Sequence, residues 1–205
     1  MEITQISSLK ETIETSLNKS MSYDEYVQLF ENLVNENATT GNEKTQEQIE
    51  FTKLNERRLK RWNKTLKISD DTQNKIKRYN KKTTWLVLTE SWCGDAAHIV
   101  PVINKVAELN NKINLRLVLR DENEELMNEF LTNGGKAIPK LIALDEENKM
   151  IGEFGSRPSI AAQLVEDFKK EYGKLTPEFK KELQVWYNKD KGESTLEDLM
   201  RLLGY

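Results

Sequence analysis

The feature that most constrains the fold of this chain is a change of sequence pattern near Lys82. Residues 85–89 form an apolar run short enough for a buried strand, and residues 96–109 have the apolar spacing of a helix. Further strands are predicted at residues 113–119, 140–144 and 150–154, and further helices at residues 122–131 and 159–172. Such alternation is typical of an α/β domain, which we predict over residues 81–172.

Helical segments are predicted on both sides of this domain. Residues 1–80 contain no strand-like run, and their apolar side chains recur at helical spacing. Residues of the kinds that begin helices punctuate both flanking segments, namely Ser22, Thr45, Ser69, Thr176 and Thr195. We therefore predict a helical N-terminal extension at residues 1–80, whose apolar faces pack against the α/β domain. A C-terminal helical extension at residues 173–205 is expected to pack on the core or to form a homodimer or partner surface.

The composition excludes several classes of function. Charged residues make up 32% of the chain and nearly balance, at a formal net charge of −3, so a surface for nucleic acid or an anionic membrane is not expected. No apolar stretch approaches the roughly 20 residues that span a bilayer. The N-terminal residues lack the basic and apolar regions of an export signal. We expect a soluble cytoplasmic protein, and the Asn-, Lys- and Glu-rich composition suits a low-GC bacterium.

Cys93 is the only cysteine of the chain, which excludes an internal disulfide and a CxxC zinc site. It lies between the first predicted strand and the following helix, at the positive end of the helix dipole, where a thiolate is stabilised. This position predicts a thiol pKa well below the ordinary value of about 8.5. Asp95 in the first helical turn opposes that effect, so the sequence leaves the sign of the net shift open.

The segment around Cys93 resembles the active-site segment of the thioredoxin superfamily. Three features carry the resemblance: Trp92-Cys93-Gly94 directly after the strand, Pro101 eight residues beyond the cysteine, and Ile138-Pro139 before the third strand. The resemblance covers roughly residues 81–172 and implies a thioredoxin-like fold, with a central mixed sheet of about four strands flanked by helices. It also implies a cis peptide bond at Pro139, facing the thiol.

The same resemblance implies a binding surface around the thiol. The backbone of Ile138 would pair with an extended peptide or a glutathione-type ligand, and Trp92 would form an apolar lip, although Trp92 could also be a core residue. Gly94 would let the partner's backbone approach closely. The predicted site therefore consists of a catalytic Cys93 and the substrate-binding residues Trp92, Gly94, Asp95, Ile138 and Pro139, without a metal.

Three departures from the superfamily pattern limit the chemistry. Ala96 stands where the second cysteine is expected, Asp95 replaces the intervening proline, and Val87 replaces the buried acid of the preceding strand. The first hypothesis is therefore a monothiol thiol-disulfide exchange protein. Cys93 would form a mixed disulfide with a protein or small-molecule disulfide, and an external thiol such as glutathione or bacillithiol would release it. No cofactor beyond that thiol is expected.

Two other hypotheses remain open at the level of sequence. The scaffold could be a redox-inactive module that binds peptides or proteins around Trp92 and Pro139. It could also share an iron-sulfur cluster between two subunits, as monothiol glutaredoxins do, although Asp95 and Ala96 do not match their motif. His98 lies about 140° around the helix from Cys93, which predicts a surface histidine that does not activate the thiol.

Overall fold

The computed structural model describes residues 2–205, with side chains from residue 9 onward. The helices are α1 (Glu2–Asn18), α2 (Tyr23–Asn35), α3 (Gln46–Thr65), α4 (Asp70–Arg78), α5 (Ala96–Glu108), α6 (Glu124–Glu129), α7 (Ser159–Tyr172), α8 (Pro177–Asp190) and α9 (Glu193–Leu202). The strands are β1 (Thr83–Thr89), β2 (Ile113–Leu119), β3 (Lys140–Leu144) and β4 (Met150–Gly155). No helix of this described part is long and apolar enough to cross a membrane.

The four strands form one mixed sheet in the order β2-β1-β3-β4. Strand β1 runs parallel to β2 and antiparallel to β3, and β4 completes the predicted antiparallel hairpin with β3. Strands β1 and β3 lie in the middle of the sheet, which explains why their sequences are almost continuously apolar. The predicted α/β fold with a mixed four-stranded sheet is confirmed. The central position of β1 places the residues after Thr89 at the middle of one sheet edge.

Helix α5, which follows the Cys93 turn, is buried on nearly all sides. Eleven of its thirteen residues are buried, because α3 and α9 pack against it in addition to the sheet. A helix surrounded by protein has no need of a polar face, and its sequence is correspondingly apolar. Pro101 lies inside this helix. The flanking helices therefore form part of the surroundings of the predicted site.

The N-terminal helices share their core with the sheet. The predicted capping box at Ser22 forms, and α2 buries Tyr26 and Phe30 completely or nearly so. The Tyr26 hydroxyl is 3.0 Å from Thr89 Oγ1 at the end of β1. Just before α2, the backbone of Met21 exchanges two hydrogen bonds of 2.8 Å with Leu117 on the outer edge of β2. Residues before the α/β domain thus complete both its core and one of its edges.

Two predicted helix boundaries are wrong. The segment predicted as one helix at residues 122–131 is a 3-10 helix (Arg120–Glu122) followed by the short α6, because Asn123 has a non-helical backbone between them. The last helix begins at Glu193 and not at Thr195. Gly192, in the left-handed conformation at a φ of 83°, ends the turn from α8 and allows α9 to start two residues earlier.

The C-terminal helices fold back onto the rest of the molecule. Helix α9 inserts Leu199 and Leu203 into the core, and its Leu202 side chain fills the space above Gly152 on β4. Helix α8 buries Leu183 and Tyr187, while most of its other residues are exposed or half-buried. This arrangement brings α8 to the edge of the sheet where Cys93 lies.

Candidate functional site

The turn between β1 and α5 holds Cys93 immediately before the first helical turn. The Cys93 amide donates to the carbonyl oxygen of Glu90 at 3.2 Å, and the carbonyl oxygen of Cys93 accepts from the Ala97 amide at 3.2 Å. The amides of Asp95 and Ala96 point towards the sulfur and lower the pKa of Cys93. This is the stabilisation of a thiolate that the position at the helix start predicts.

The thiol lies against the segment that precedes β3. Cys93 Sγ donates a hydrogen bond to the carbonyl oxygen of Ile138 at 3.4 Å, and the Ile138–Pro139 peptide bond is cis. Cys93, Ile138 and Pro139 are all buried. The fold therefore brings together three of the six residues that the resemblance assigned to the site. An S–H group that donates to a carbonyl is a neutral thiol.

Burial raises the pKa of Cys93 to about 12, and the negative charge of Asp95 acts in the same direction. The amides of Ala96 and Asp95 and the guanidinium of Arg157 oppose this shift without cancelling it. The expected low pKa is therefore wrong for the thiol as it lies here, because removal from water outweighs the start of the helix. At neutral pH this thiol is protonated.

The buried Asp95 forms an ion pair with Arg157, which is half-buried and was not among the predicted site residues. Arg157 Nη2 is 2.6 Å from Asp95 Oδ2, and it comes from the loop between β4 and α7. Burial raises the pKa of Asp95, and Arg157 opposes that rise. In the described part of the chain, Asp95 Oδ1 and Arg157 Nε are buried without a hydrogen-bond partner. The sequence contained no local signal for this pair, since its members meet only through the fold.

Helix α8 covers the turn from outside. A β-carbon placed on Gly94 would lie 3.3 Å from Gln184 Oε1 and 3.5 Å from an Arg58 guanidinium nitrogen, so both side chains rest on this glycine. Burial raises the pKa of Tyr187, and the negative charge of Asp95 acts in the same direction. The Tyr187 hydroxyl approaches Asp95 but, among the described residues, makes no hydrogen bond of ordinary geometry. The space next to Gly94 is therefore occupied by the Gln184 and Arg58 side chains of the same chain.

His98 is buried, and the prediction of a surface histidine is wrong because α3 and α8 cover it. Trp62 Nε1 donates to His98 Nδ1 at 2.9 Å, so the proton of the neutral ring is on Nε2, which lies 3.0 Å from Gln184 Oε1. The ring of Tyr187 stacks on the imidazole at 4.7 Å. Burial lowers the pKa of His98 to about 3, and the charge of Arg58 adds to the effect.

Ser91, next to Trp92, is completely buried and was also not among the predicted site residues. Its hydroxyl lies 2.8 Å from the Thr52 hydroxyl and 3.1 Å from both the amide and the hydroxyl of Thr40. The Asn55 side chain donates to the Ser91 carbonyl oxygen at 2.8 Å. This network ties the Cys93 turn to α3 and to the loop before it. The sequence contained no local signal for this network, since its members come together only in the folded chain.

Trp92 is half-buried beside a group of charged side chains. The guanidinium of Arg120 lies 4.9 Å from the centre of the indole ring and is paired with Asp121 at 2.7 Å. Gly41, with a φ of 90°, approaches the indole so closely that a β-carbon there would be 2.9 Å from Trp92 Nε1. Trp92 thus has one side against the N-terminal part of the chain. Among the described residues, no three His, Cys, Asp or Glu side chains converge as a metal site requires.

Comparison with known proteins identifies the scaffold. A family described as Thioredoxin matches residues 41–169. The chain belongs to this thioredoxin family. The matched region begins before α3, so in this thioredoxin-family protein it includes two of the helices that precede β1.

Two solved structures share the thioredoxin-like fold. A protein of unknown function from Pseudomonas aeruginosa aligns with a TM-score of 0.58 at 18% identity and covers 76% of this chain and 89% of its own. An HIV epitope-scaffold aligns with a TM-score of 0.56 at 19% identity and covers 76% of this chain and 90% of its own. None of the curated proteins matches the chain significantly in sequence. These likenesses establish the fold, and the site must be interpreted from its own residues.

Proposed function

We propose that this thioredoxin-family protein is a monothiol thiol-disulfide exchange protein. The observation that supports this most directly is the position of Cys93 Sγ, 3.4 Å from the carbonyl oxygen of Ile138 and in front of the first amides of α5. When the residues that cover it move away, the sulfur can give up its hydrogen bond to Ile138, ionise next to the helix amides and attack a disulfide. We place this activity in the bacterial cytoplasm, where low-molecular-weight thiols are abundant.

The reaction consists of two balanced exchanges at one sulfur. The Cys93 thiolate attacks one sulfur of a disulfide R–S–S–R′, so that a Cys93–S–S–R bond forms and R′–S⁻ leaves. An external thiolate then attacks the R sulfur of this mixed disulfide and regenerates the Cys93 thiolate. Ala96, which is fully buried next to the turn, cannot supply the second thiol. The external thiol is therefore a co-substrate and its oxidation balances the reduction of the disulfide.

The groups around the sulfur would divide the remaining tasks. Ile138 would offer its backbone to an extended partner when the thiol no longer donates to its carbonyl oxygen. Trp92 would provide an apolar contact, and Gly94 would leave room for the partner's backbone after Gln184 moves away. Asp95 would oppose ionisation of the thiol, which restrains Cys93 until a partner binds.

One observation favours a second candidate, a redox-inactive module that binds peptides or proteins. Cys93 is buried and its Sγ donates to the carbonyl oxygen of Ile138, and burial raises its pKa, so the thiol is protonated at pH 7 in the closed arrangement. Such a thiol would act as an ordinary buried side chain. The two candidates differ in whether the sulfur is needed for capture of a partner.

A comparison of the wild type with Cys93→Ser tests the proposal. Wild type should catalyse reduction of a small mixed disulfide by glutathione or bacillithiol, and should retain partners through bonds that dithiothreitol breaks. Cys93→Ser should lose both properties, a decrease of about 10³-fold or more in exchange rate, because a hydroxyl does not form disulfides. Circular dichroism should be the same for both proteins. Equal, reductant-insensitive capture by both proteins would instead establish the binding module.

A further inference from the structure

We propose that helix α8 is a lid over Cys93 that must move away before the thiol reacts. The inference deepens the proposed function and rests on it, since a lid matters only if the sulfur exchanges. Nothing in the sequence pattern of α8 indicated this role, because its residues meet the site only through the fold.

The contacts of α8 place it on the approach to the sulfur. Gln184 lies against Gly94, the half-buried residue next to Cys93, and also contacts His98 Nε2 at 3.0 Å. Tyr187 lies against Asp95 and stacks on His98. A disulfide that approached Cys93 over Gly94 would collide with these two α8 side chains. Removal of α8 would clear that path without any change in the sheet.

Helix α8 is lightly attached for its length. Only Leu183 and Tyr187 among its fourteen residues are buried, whereas α5 buries eleven of thirteen. Its polar attachments among the described residues are the Gln184 contact with His98, a hydrogen bond from Arg61 to Asn188, and hydrogen bonds from Ser194 of α9 to Asp190. A helix held by so few buried side chains is expected to open more readily than the core elements.

The two ends of α8 differ in a way that suits movement about one end. Gly173, in the left-handed conformation before α8, has no described neighbour within 4 Å of where a side chain would begin. At the other end, Gly192 is tightly packed, because a β-carbon there would lie 2.9 Å from Val102 of α5. Helix α9 stays anchored beyond it through Leu199 and Leu203. The helix can therefore lift at its N-terminal end while α9 remains in place, provided that Phe179 separates from Phe168 of α7, on which it stacks at 4.0 Å.

The closed position also leaves polar groups unsatisfied. Asp95 Oδ1, Arg157 Nε and the Tyr187 hydroxyl are buried without hydrogen-bond partners of ordinary geometry in the described part of the chain. Each of them would gain water if α8 lifted, which reduces the preference for the closed position. Opening would at the same time hydrate the sulfur, and hydration favours its thiolate.

The rate of Cys93 alkylation by iodoacetamide measures opening directly, because the chain has no other cysteine. The variants are Tyr187→Ala and Gln184→Ala, with Val185→Ala as the matched control on the exposed face of the same helix. We expect Tyr187→Ala to react about tenfold faster than wild type, Gln184→Ala to react faster by a smaller factor, and Val185→Ala to react at the wild-type rate. Equal rates in all four proteins would overturn the lid.

A measurement on the wild type guards against a variant that fails to fold. In native-state hydrogen exchange, the amides of α8 should exchange faster than those of α5 and α9. Exchange of all three helices together would contradict a lid. Thiol-transfer assays separate the two proposals: a Tyr187→Ala protein that alkylates quickly but transfers no thiol supports the lid and rejects the exchange function. If wild type transfers thiols but the variants are alkylated at the wild-type rate, the exchange function is supported and the lid is rejected.

Discussion

At the scale of single residues, one carboxylate adds to the effect of burial on the thiol. Asp95 follows the thiol by two positions, and its negative charge opposes ionisation of Cys93 where the helix amides favour it. The ion pair with Arg157 keeps this carboxylate in place beside the sulfur. The side chain at the second position after the cysteine therefore makes ionisation of the buried thiol still less favourable.

Replacement of Asp95 by asparagine should make Cys93 more reactive. Asp95→Asn removes the negative charge that raises the pKa of Cys93 and keeps the positive charge of Arg157, which lowers it. The alkylation rate at pH 8 should rise by about tenfold. Asp121→Asn is the control, because it breaks a similar pair with Arg120 on the same sheet edge. An unchanged rate in Asp95→Asn would show that burial alone keeps the thiol neutral.

The residues of this site were only partly predictable. The positions of Cys93, Ile138 and Pro139 follow from local motifs, because each motif marks the end or beginning of a strand. Arg157 and the α8 residues could not be found in this way. His98 and Gln184, for example, are 86 positions apart and meet only after the chain has folded. The expected pKa of Cys93 failed for the same reason, since burial depends on distant segments.

At the scale of elements, His98 joins three helices. It lies on α5, accepts a hydrogen bond from Trp62 of α3 and contacts Gln184 of α8. The bond from Trp62 requires the neutral ring, because a protonated Nδ1 could not accept it, whereas Nε2 can donate to Gln184 in either protonation state. Periodicity predicted the helices but not the contacts that His98 makes between them, because it identifies the apolar face of a helix and not what packs against that face.

The buried, neutral His98 should make the stability of the protein depend on pH. The unfolded imidazole binds a proton near pH 6.5, whereas in the fold its pKa is lowered to about 3 by burial and by Arg58. The stability contribution is therefore complete above pH 6.5 and is lost as the pH falls from 6.5 towards 3. Between pH 7.5 and 5.5 the free energy of unfolding should lose about 1.4 kcal/mol through His98.

Urea unfolding of the wild type and His98→Gln at both pH values isolates this effect. Because the chain has one histidine, the difference between the two proteins reports His98, and the contributions of the carboxyl groups to the pH dependence cancel. Among these is Asp95, whose burial-raised pKa would change stability in the opposite direction. The advantage of the wild type over the variant should shrink by about 1.4 kcal/mol at the lower pH. A constant difference would mean that His98 is protonated or exposed in the folded protein.

At the scale of the whole molecule, the helical segments and the sheet share one hydrophobic core. Tyr26, Phe30 and Ile76, all from the first 80 residues, are almost completely buried in the cluster that contains the strands. The alternating pattern that predicted an α/β domain at residues 81–172 carried no information about this sharing. An apolar helical stripe identifies a buried face without identifying what buries it.

Removal of residues 1–80 should therefore abolish folding and not merely shorten the protein. Loss of each large buried side chain costs about 2–5 kcal/mol, and three such losses match or exceed the typical stability of 5–15 kcal/mol. Residues 81–205 alone should lack near-ultraviolet circular dichroism and show no cooperative urea transition. The full chain should unfold in a single transition that is the same by tryptophan fluorescence and by far-ultraviolet circular dichroism. A cooperative transition in the shortened protein would show that the α/β domain is independent.

The short contact between Met21 and the edge strand β2 also limits how the protein can assemble. Its two backbone hydrogen bonds occupy the middle of that edge, and the Arg116 side chain binds Ser20 beside them. Another strand could extend the sheet on this side only after displacing the segment before α2. Growth into a continuous intermolecular sheet is therefore blocked at β2.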